Sequence, residues 1–249
     1  MKTDSPFLTG DKMKVMTFNI QHALDYKNQI INTGLFADAI AKHNIDFCGL
    51  NEVRGEGPVE DYTDQTNTIG DALGFYRYFG EAIKVRGTSP YGNAVVSNIP
   101  FKSVETIKIP DPDISNETNR DGEPVRYESR CIIKAVIEKR GKDICILVTH
   151  FGLAKSERIN AVDKLCEIID STDLPLILMG DFNTEPDEEL LTPLFSRLKS
   201  VDTYENTFPS YNPQIKIDYI LYRELECGYS ETINEIYADH LPIVAEFVI

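Results

Sequence analysis

The sequence has few positive charges for its length. Its 249 residues include 25 Lys and Arg against 40 Asp and Glu, which gives a formal net charge of −15 at pH 7. Nucleic acids and anionic membrane surfaces attract clustered basic side chains. The charge balance therefore disfavours extended nucleic-acid binding and a polybasic membrane surface, although a local contact with nucleic acid stays open.

Long apolar runs are also absent from the sequence. No stretch approaches the roughly 18 consecutive apolar residues that span a bilayer, and the N-terminal MKTDSPFLTGDK lacks a basic start followed by an apolar run. We therefore expect neither a membrane span nor secretion. The five cysteines are odd in number and widely spaced, which is typical of reduced thiols rather than of a disulfide or zinc framework. Together these features predict a cytoplasmic protein.

Neither a short-period repeat nor a Gly/Ser-rich linker divides the chain. A chain of this length can bury a sizeable core as one unit. We predict a single domain over residues 1–249, in which residues 1–12 form a flexible leader.

Two parts of the sequence have the order strand, helix, strand. Short apolar runs predict the strands, and apolar residues that recur at helical spacing predict the helix between them. The first unit comprises 13–19, 31–40 and 45–50, and the second comprises 143–150, 159–169 and 174–181.

Further strand-like segments lie between and after these units. They are 76–83, 92–97, 104–109, 126–137, 216–222 and 243–249. Many strands with few helices, and apolar runs suited to burial on both faces, predict an α/β fold in which two packed sheets carry helices on their outer faces. The polar segment 110–124 has no apolar periodicity and predicts a surface loop, which either connects two strands or borders a substrate site.

Polar side chains occur at the carboxyl ends of several predicted strands and next to the last one. They are Asn19, Glu52, His150, Asp181, Asn183, Asp218, Asp239 and His240. Each alone is ordinary, because such residues commonly begin turns or cap helices. As a set they predict a functional site, since the ends of sheet strands are where α/β folds hold ligands. Of the other two histidines, His43 ends a predicted helix and His22 has no assigned role.

The donor atoms in this set are mainly carboxylate and amide oxygens, without thiolates. Such oxygens suit a hard cation such as Mg²⁺ better than zinc. Asp181 and Asn183 are two residues apart, so in extended backbone their side chains leave on one side while Phe182 turns into the core. One can then accept a proton from water while the other holds that water.

Seven segments in this order resemble the endonuclease/exonuclease/phosphatase superfamily, whose members are metal-dependent phosphoesterases similar to pancreatic DNase, neutral sphingomyelinase and inositol-polyphosphate 5-phosphatases. The segments are VMTFNIQH (15–22), GLNEVRG (49–55), YGNAVVSNIPF (91–101), VTHFGL (148–153), LMGDFNTEPD (178–187), TFPSYNPQIKIDYIL (207–221) and ADHLPIVAEF (238–247). The resemblance implies a four-layered α-β-β-α sandwich with two packed mixed β-sheets flanked by helices.

The resemblance also implies a metal site. Glu52 would be the principal ligand of Mg²⁺, with Mn²⁺ as an alternative ion. Asn19 would lie beside it and contact water on the ion or the phosphate. Asp239 would lie at the edge of the site, where a second ion could bind.

The same resemblance implies catalytic roles for five residues. Asp181 would be the general base that aligns the attacking water, and Asn183 would hold Asp181 and a phosphate oxygen. His240 would donate to a non-bridging phosphate oxygen while Asp218 orients its ring. His150 would face the phosphate from the other side.

Arg130 is a candidate substrate-binding residue, because its planar guanidinium matches phosphate oxygens. A surface salt bridge with Glu128 or Glu138 is an equally good interpretation of this arginine.

The function predicted from these residues is Mg²⁺-dependent hydrolysis of a small or lipid-derived phosphoester. The first alternative is a metal-dependent nuclease on DNA or RNA. The low number of basic residues argues against it, as does Gln21 at a position where the DNA-repair relatives tend to carry a metal-binding Asp. The second alternative is an inactive binding module with the same fold. The substrate itself and the oligomeric state do not follow from the sequence.

Overall fold

The computed structural model describes residues 11–112, 118, 123–124, 127–203 and 205–249. The described strands are β1 (Lys12–Asn19), β2 (Leu24–Asp25), β3 (Ile30–Ile31), β4 (Phe47–Arg54), β5 (Tyr76–Val85), β6 (Ser89–Ser97), β7 (Phe101–Lys108), β8 (Cys131–Lys139), β9 (Lys142–His150), β10 (Leu176–Asp181), β11 (Lys199–Ser200), β12 (Asp218–Arg223), β13 (Glu226–Thr232) and β14 (Ile243–Val248). The described α-helices are α1 (Thr33–Lys42), α2 (Gln65–Leu73), α3 (Lys155–Asp170) and α4 (Thr192–Phe195).

Twelve of these strands form two six-stranded sheets. Sheet 1 has the order β13-β14-β1-β4-β6-β5, and sheet 2 has the order β11-β12-β10-β9-β8-β7. Each sheet is mixed, because β1 pairs parallel with β4 in sheet 1 and β9 pairs parallel with β10 in sheet 2. Each parallel pair is joined by a connection that contains a helix, α1 or α3, as parallel neighbours require.

The core has three apolar layers, and these define the four-layered arrangement. One layer lies between the two sheets and is formed by residues such as Val15, Val95, Val148 and Met179. The second layer lies between sheet 1 and the helices α1 and α2. The third layer lies between sheet 2 and the helices α3 and α4. Because both faces of the central strands are covered, these strands are apolar on both faces.

The predicted fold class is confirmed, and both predicted strand-helix-strand units are present. The prediction of a leader over residues 1–12 is wrong at its end, because Lys12 begins β1 and its backbone pairs with that of Val248. Residues 1–10 lie outside the described residues. The predicted strand 126–137 begins later than expected, at Cys131, and Arg126 is also outside the described residues.

Helix α2 was not predicted from the sequence. Its ends nevertheless carry ordinary signals, since the side chain of Asp64 accepts a hydrogen bond from the backbone N–H of Asn67 and Gly74 ends the helix with φ at +68°. Within the described residues, no helix has the length and apolar character needed to cross a membrane.

Candidate active site

The register of sheet 2 places three polar residues in one row at the edge of the sheet. Asp181, the last residue of β10, pairs with His150 of β9 on one side and with Asp218 of β12 on the other. All three residues are buried. The row forms because β9 and β10 are parallel and end together, while the antiparallel β12 begins where they end.

Asn19 connects this row to sheet 1. It is the last residue of β1, and its side-chain nitrogen donates to Asp181 Oδ2 and to Glu52 Oε1, with both distances 3.1 Å. The two sheets therefore present their polar strand ends to one another, and one amide group contacts carboxylates from both.

Glu52 does not end its strand as the sequence predicted, because β4 continues to Arg54. The pairing of β4 with β6 shifts between Leu50 and Val53, and Glu52 adopts φ of +59°. Such a bulge redirects a side chain out of the regular alternation of the strand. The second carboxylate oxygen of Glu52 accepts a hydrogen bond of 2.9 Å from the hydroxyl of Tyr91.

Asn183 is positioned by a turn rather than by extended backbone. Its φ is +47°, and its backbone N–H donates to Asp181 Oδ1 at 2.9 Å. An Asp side chain commonly accepts such a bond two residues further on, and this turns the chain. The side-chain nitrogen of Asn183 lies 3.2 Å from His150 Nε2 and donates to the Phe151 carbonyl at 3.0 Å. Phe182 is fully buried, as the sequence predicted.

His240 is paired with a carboxylate on each side of its ring. Its Nδ1 lies 2.9 Å from Asp218 Oδ2, and its Nε2 lies 3.7 Å from Asp181 Oδ2. Burial favours the neutral ring, but the negative charges of Asp218 and Asp181 outweigh that effect and raise the pKa of His240 to about 10. The ring is therefore an imidazolium at neutral pH. Burial also raises the pKa of Asp181, while the charge of His240 opposes that rise.

His150 has the opposite electrostatic environment. Burial lowers its pKa well below the ordinary value, and the positive charges of Arg130 and His240 lower it further. His150 Nε2 is 3.4 Å from Asp181 Oδ2, and its Nδ1 is 3.5 Å from a terminal nitrogen of Arg130. We infer a neutral ring, which offers one donor and one acceptor nitrogen.

Arg130 forms one of the salt bridges that the sequence suggested, and its place in the pocket leaves substrate binding as a prediction. It forms a salt bridge with Glu128 at 3.2 Å, and its side chain is only 12% exposed. It also lines the same pocket as His150 and Asp181. The other predicted partner, Glu138, lies 3.9 Å from Lys102 instead.

The residues present fit a hard divalent cation. Glu52 and Asp239 line one pocket, and Asp239 Oδ1 is a buried oxygen with no hydrogen-bond partner among the described residues. Burial raises the pKa of Asp239 to about 6, and the neighbouring negative charge of Glu52 adds to the rise. A cation between such oxygens would supply the missing partner and remove the repulsion, which suits Mg²⁺ with its one or two protein carboxylates.

A different group, Asp181, Asp218 and His240, brings three ligand atoms within 4.8 Å of one another. The two nitrogens of His240 already face carboxylates of this group. Its geometry is that of an imidazole held between two carboxylates.

Most of the predicted site residues share one pocket. It has a volume of about 460 Å³, and the predicted residues among its lining are Glu52, Arg130, His150, Asp181, Asn183, Asp239 and His240. Asn19 and Asp218 lie behind this surface and contact its carboxylates and imidazole.

Residues 113–117 and 119–122 of the predicted surface loop lie outside the described residues, and no described residue of 110–124 lines the pocket.

Two buried amides that the sequence analysis did not assign connect the sheets beneath the pocket. Asn51 accepts a hydrogen bond from the backbone N–H of Asp181 at 3.0 Å and donates to the Thr149 carbonyl at 3.0 Å and to Asn93 at 2.8 Å. Asn93 donates in turn to the Cys131 carbonyl at 3.0 Å. Their places within otherwise apolar strands could have identified Asn51 and Asn93 in the sequence, because buried amides need hydrogen-bond partners.

Gly180 permits the close approach of β10 to β9 beside this connection. Its φ is +146°, and a Cβ atom there would lie 1.8 Å from the Thr149 carbonyl oxygen. A side chain at this position would displace the backbone next to Asp181.

The four-layered sandwich thus carries a carboxylate–histidine cluster at the strand ends of its two sheets. The family model of the Endonuclease/Exonuclease/phosphatase family matches residues 16–235. Because that match spans most of the sequence, the chain belongs to this family.

Solved structures support the fold at low sequence identity. An endonuclease/exonuclease/phosphatase from Bacteroides vulgatus has a TM-score of 0.75 at 16% identity and is matched over 96% of this chain and 99% of that chain. The mannosyl-6-phosphatase Bt3783 from Bacteroides thetaiotaomicron has a TM-score of 0.73 at 15% identity, over 95% and 100%. The human Nocturnin catalytic domain with bound sulfate has a TM-score of 0.67 at 20% identity, over 98% of both. No curated protein sequence matches the chain.

We predict that Asn51→Ala lowers the free energy of unfolding by about 1 to 3 kcal/mol, because it leaves the Asp181 N–H and the Thr149 carbonyl buried without their partner. Urea denaturation measures this loss. The control is Asn98→Ala, which removes an exposed amide bonded to Asp46 and should change stability by less than about 0.5 kcal/mol. Equal stabilities of the two variants would show that Asn51 does not hold the sheets together.

We also predict that Asp218→Asn lowers the pKa of His240, since it removes one of the two negative charges that stabilise the imidazolium. NMR of metal-free protein measures the titration of this ring. In the parent the ring should stay protonated through neutral pH, and in the variant the midpoint of its titration should move to lower pH. His43 lies outside the pocket and serves as the internal reference. A His240 titration that is the same in both proteins would contradict the assigned pairing.

Proposed function

We propose that this protein is a Mg²⁺-dependent phosphoesterase that hydrolyses a small or lipid-derived phosphoester by in-line attack of water. The observation that carries the proposal is the double hydrogen bond of Asn19 to Glu52 and to Asp181. It joins the candidate metal ligand of one sheet to the candidate base of the other within one pocket. The family consists of nucleases and phosphatases, so a hydrolase of phosphoester bonds agrees with its membership.

The candidate metal ligands are Glu52, Asn19 and Asp239. When bound there, Mg²⁺ would neutralise part of the phosphate charge that otherwise repels the attacking water. Mn²⁺ has similar ligand preferences and would serve as a substitute.

Asp181 is proposed as the general base. Its raised pKa suits that role, because a base is most effective when its pKa lies near the working pH. Its Oδ1 accepts the backbone N–H of Asn183, which leaves Oδ2 directed toward Asn19, His150 and His240. The carboxylate is therefore held in one orientation before water arrives, and positioning of this kind lowers the barrier to attack.

The phosphate oxygens would be bound by three side chains on the sheet 2 side of the pocket. His240 carries a positive charge and would donate to a non-bridging oxygen, with Asp218 holding its ring. His150 is oriented by Arg130, whose guanidinium can only donate to the ring Nδ1, and would contact the phosphate from the other side. Arg130 would add a second charged donor. Charged donors that are already oriented are the most effective means of stabilising negative charge as it develops.

A small substrate is favoured over a nucleic acid by the net charge of −15, since binding a strand requires several phosphate contacts. The name of one structural neighbour, a mannosyl-6-phosphatase, supports a small phosphorylated substrate for this fold. The proposal includes a cytoplasmic location, which the five free cysteines support.

We predict that Asp181→Asn reduces kcat by about 10² to 10⁴, the usual contribution of a general base. The assay is a panel of aryl phosphodiesters, phosphorylated sugars, inositol phosphates, sphingomyelin and oligonucleotides with Mg²⁺, repeated with a chelator. Asp143→Asn is the control, because it changes an exposed carboxylate paired with Lys102 and should retain parental kcat. Turnover that survives both Asp181→Asn and the chelator would reject the proposal.

The same panel separates a nuclease from an esterase of small molecules. Cleavage of a nucleic acid should weaken steeply between 50 and 200 mM salt, by roughly 10³ or more when several phosphates are bound, whereas a small substrate should respond weakly.

We further predict that Glu52→Gln raises the Mg²⁺ concentration at half-maximal activity by at least about tenfold, because the variant loses a charged ligand. The free energy of unfolding should change little in comparison, since Glu52 is only partly buried. Glu235→Gln, at a surface pair with Lys42, provides the matched control. Superimposable Mg²⁺ titrations of Glu52→Gln and the parent would remove Glu52 from the metal site.

A further inference from the structure

One wall of the pocket has no role in the proposed hydrolysis. It belongs to sheet 1 and the segments beside it, beyond Glu52, and it comprises His22, Arg54, Tyr62, Ile83 and Val85. The candidate catalytic residues line the same pocket.

Arg54 is oriented toward this part of the pocket without being neutralised by a close carboxylate among the described residues. Its guanidinium carbon lies 4.8 Å from the centre of the Tyr62 ring, which is a cation–π contact. A terminal nitrogen makes one long hydrogen bond of 3.5 Å to the Asp61 carbonyl. Its Nε is buried and has no hydrogen-bond partner among the described residues. The terminal nitrogens, which make only that long bond among the described residues, therefore have donor capacity to offer a ligand in the pocket.

His22 is held beside Arg54 by an unusual backbone. Three consecutive residues, Gln21, His22 and Ala23, have φ of +45°, +49° and +59°. Residues other than glycine adopt this region at a cost of about 1 to 3 kcal/mol each, and such strain is concentrated at functional sites. Such a backbone needs tertiary contacts that hold it in place.

Gln65 fixes both residues at once. Its side-chain nitrogen donates to the His22 carbonyl at 2.6 Å, and its side-chain oxygen accepts the backbone N–H of Arg54 at 2.9 Å. Gln65 is fully buried at the start of α2. One buried amide therefore ties together the backbone of two residues whose side chains line the pocket.

The His22 ring complements the charge of Arg54. Burial lowers the pKa of His22, and the positive charge of Arg54 lowers it further, against the opposing effect of Glu52. A neutral imidazole next to a guanidinium offers a second hydrogen bond to an anion without adding charge repulsion between the two groups.

We infer that His22, Arg54 and Tyr62 form a subsite for a second anionic group, so that the substrate is a small molecule carrying a phosphate or carboxylate in addition to the scissile phosphoester. The inference rests on the proposed function, because it takes the scissile group to lie at Asp181 and His240. A guanidinium binds such an anion through two parallel hydrogen bonds. The Tyr62 ring contacts the guanidinium face, and the apolar side chains of Ile83 and Val85 line the same pocket.

Calorimetric binding of a matched pair of probes tests this subsite. The probes are glucose 1,6-bisphosphate and glucose 6-phosphate, titrated into parent, Arg54→Gln, Arg54→Lys and His22→Ala proteins with Mg²⁺. We expect the parent to bind the bisphosphate at least about tenfold more tightly than the monophosphate. Arg54→Gln and His22→Ala should reduce that preference to about threefold or less. Arg54→Lys, which keeps the charge but loses the planar fork, should retain more of it.

The control variant is Arg140→Gln, whose guanidinium is exposed and paired with Asp11. It should retain the parental preference. Circular dichroism and thermal unfolding of each variant establish that it is folded before the comparison is made. Arg54→Gln and His22→Ala lie in different segments of the chain. If one of these variants does not fold, the other still tests the subsite.

Three results would overturn the inference. The first is a parent that binds both probes equally or binds neither, and the second is a preference that survives both Arg54→Gln and His22→Ala. The third is a parent that shows no preference between the two sugar phosphates but binds oligonucleotides of several residues, titrated in the same way, with an affinity that 200 mM salt abolishes. That result would assign the second anion to a polynucleotide. Failure of the proposed function is recognised separately, by absence of turnover in the parent, because the binding measurement does not require hydrolysis.

Discussion

The site depends on the attachment of Asp181 to both sheets. The backbone N–H of Asp181 bonds to the side chain of Asn51, and its carboxylate bonds to Asn19, so that two residues of sheet 1 hold one residue of sheet 2. The remaining contact between the sheets is largely apolar packing, which is not directional. Hydrogen bonds between the sheets therefore determine how the two sets of strand ends are aligned, while Gly180 permits the close approach of β10 to β9 within sheet 2.

This alignment brings two histidines close to one carboxylate and gives them different electrostatic environments. His240 lies between Asp218 and Asp181, and its pKa is raised. His150 lies next to Arg130, and its pKa is lowered. Two residues of the same type thus supply one charged donor and one neutral ring on either side of the candidate base. A phosphate between them would meet fixed positive charge on one side and an uncharged hydrogen-bonding group on the other, which avoids the repulsion between two adjacent imidazolium ions.

Much of the fold could be predicted because its central strands are apolar on both faces and its helices α1 and α3 are amphipathic. The residues His150, Asp181 and Asp218 were predicted from their places beside apolar strands, but their side-by-side register comes from the pairing of β9, β10 and β12. Local backbone geometry could not be predicted in this way. The bulge at Glu52 and the turn at Asn183 both have positive φ in residues other than glycine, and the tertiary contacts of these residues select that conformation.

The hydrogen-bond partners of buried polar side chains could not be predicted from the sequence either. Asn51 directly precedes Glu52, yet its side chain points in the opposite direction, to Thr149 and Asn93 between the sheets. Its role depends on a partner 98 residues away, and no local pattern contains that information. His22 stayed unassigned for a related reason, because its position is set by Gln65 of α2, a helix that the sequence analysis did not predict.

The acidic net charge and the proposed anionic substrate are compatible because they act over different distances. At physiological ionic strength the field of surface charges decays over about 8 Å, so a phosphate inside the pocket responds mainly to Arg130, His240, Arg54 and any bound cation. A strand of nucleic acid would extend beyond the pocket and meet the excess of Asp and Glu elsewhere on the chain. A molecule small enough to be enclosed in about 460 Å³ avoids that repulsion. Under the proposed function the same charge distribution would favour a compact substrate over a long one, because only the compact substrate would keep all its negative charge next to the basic groups.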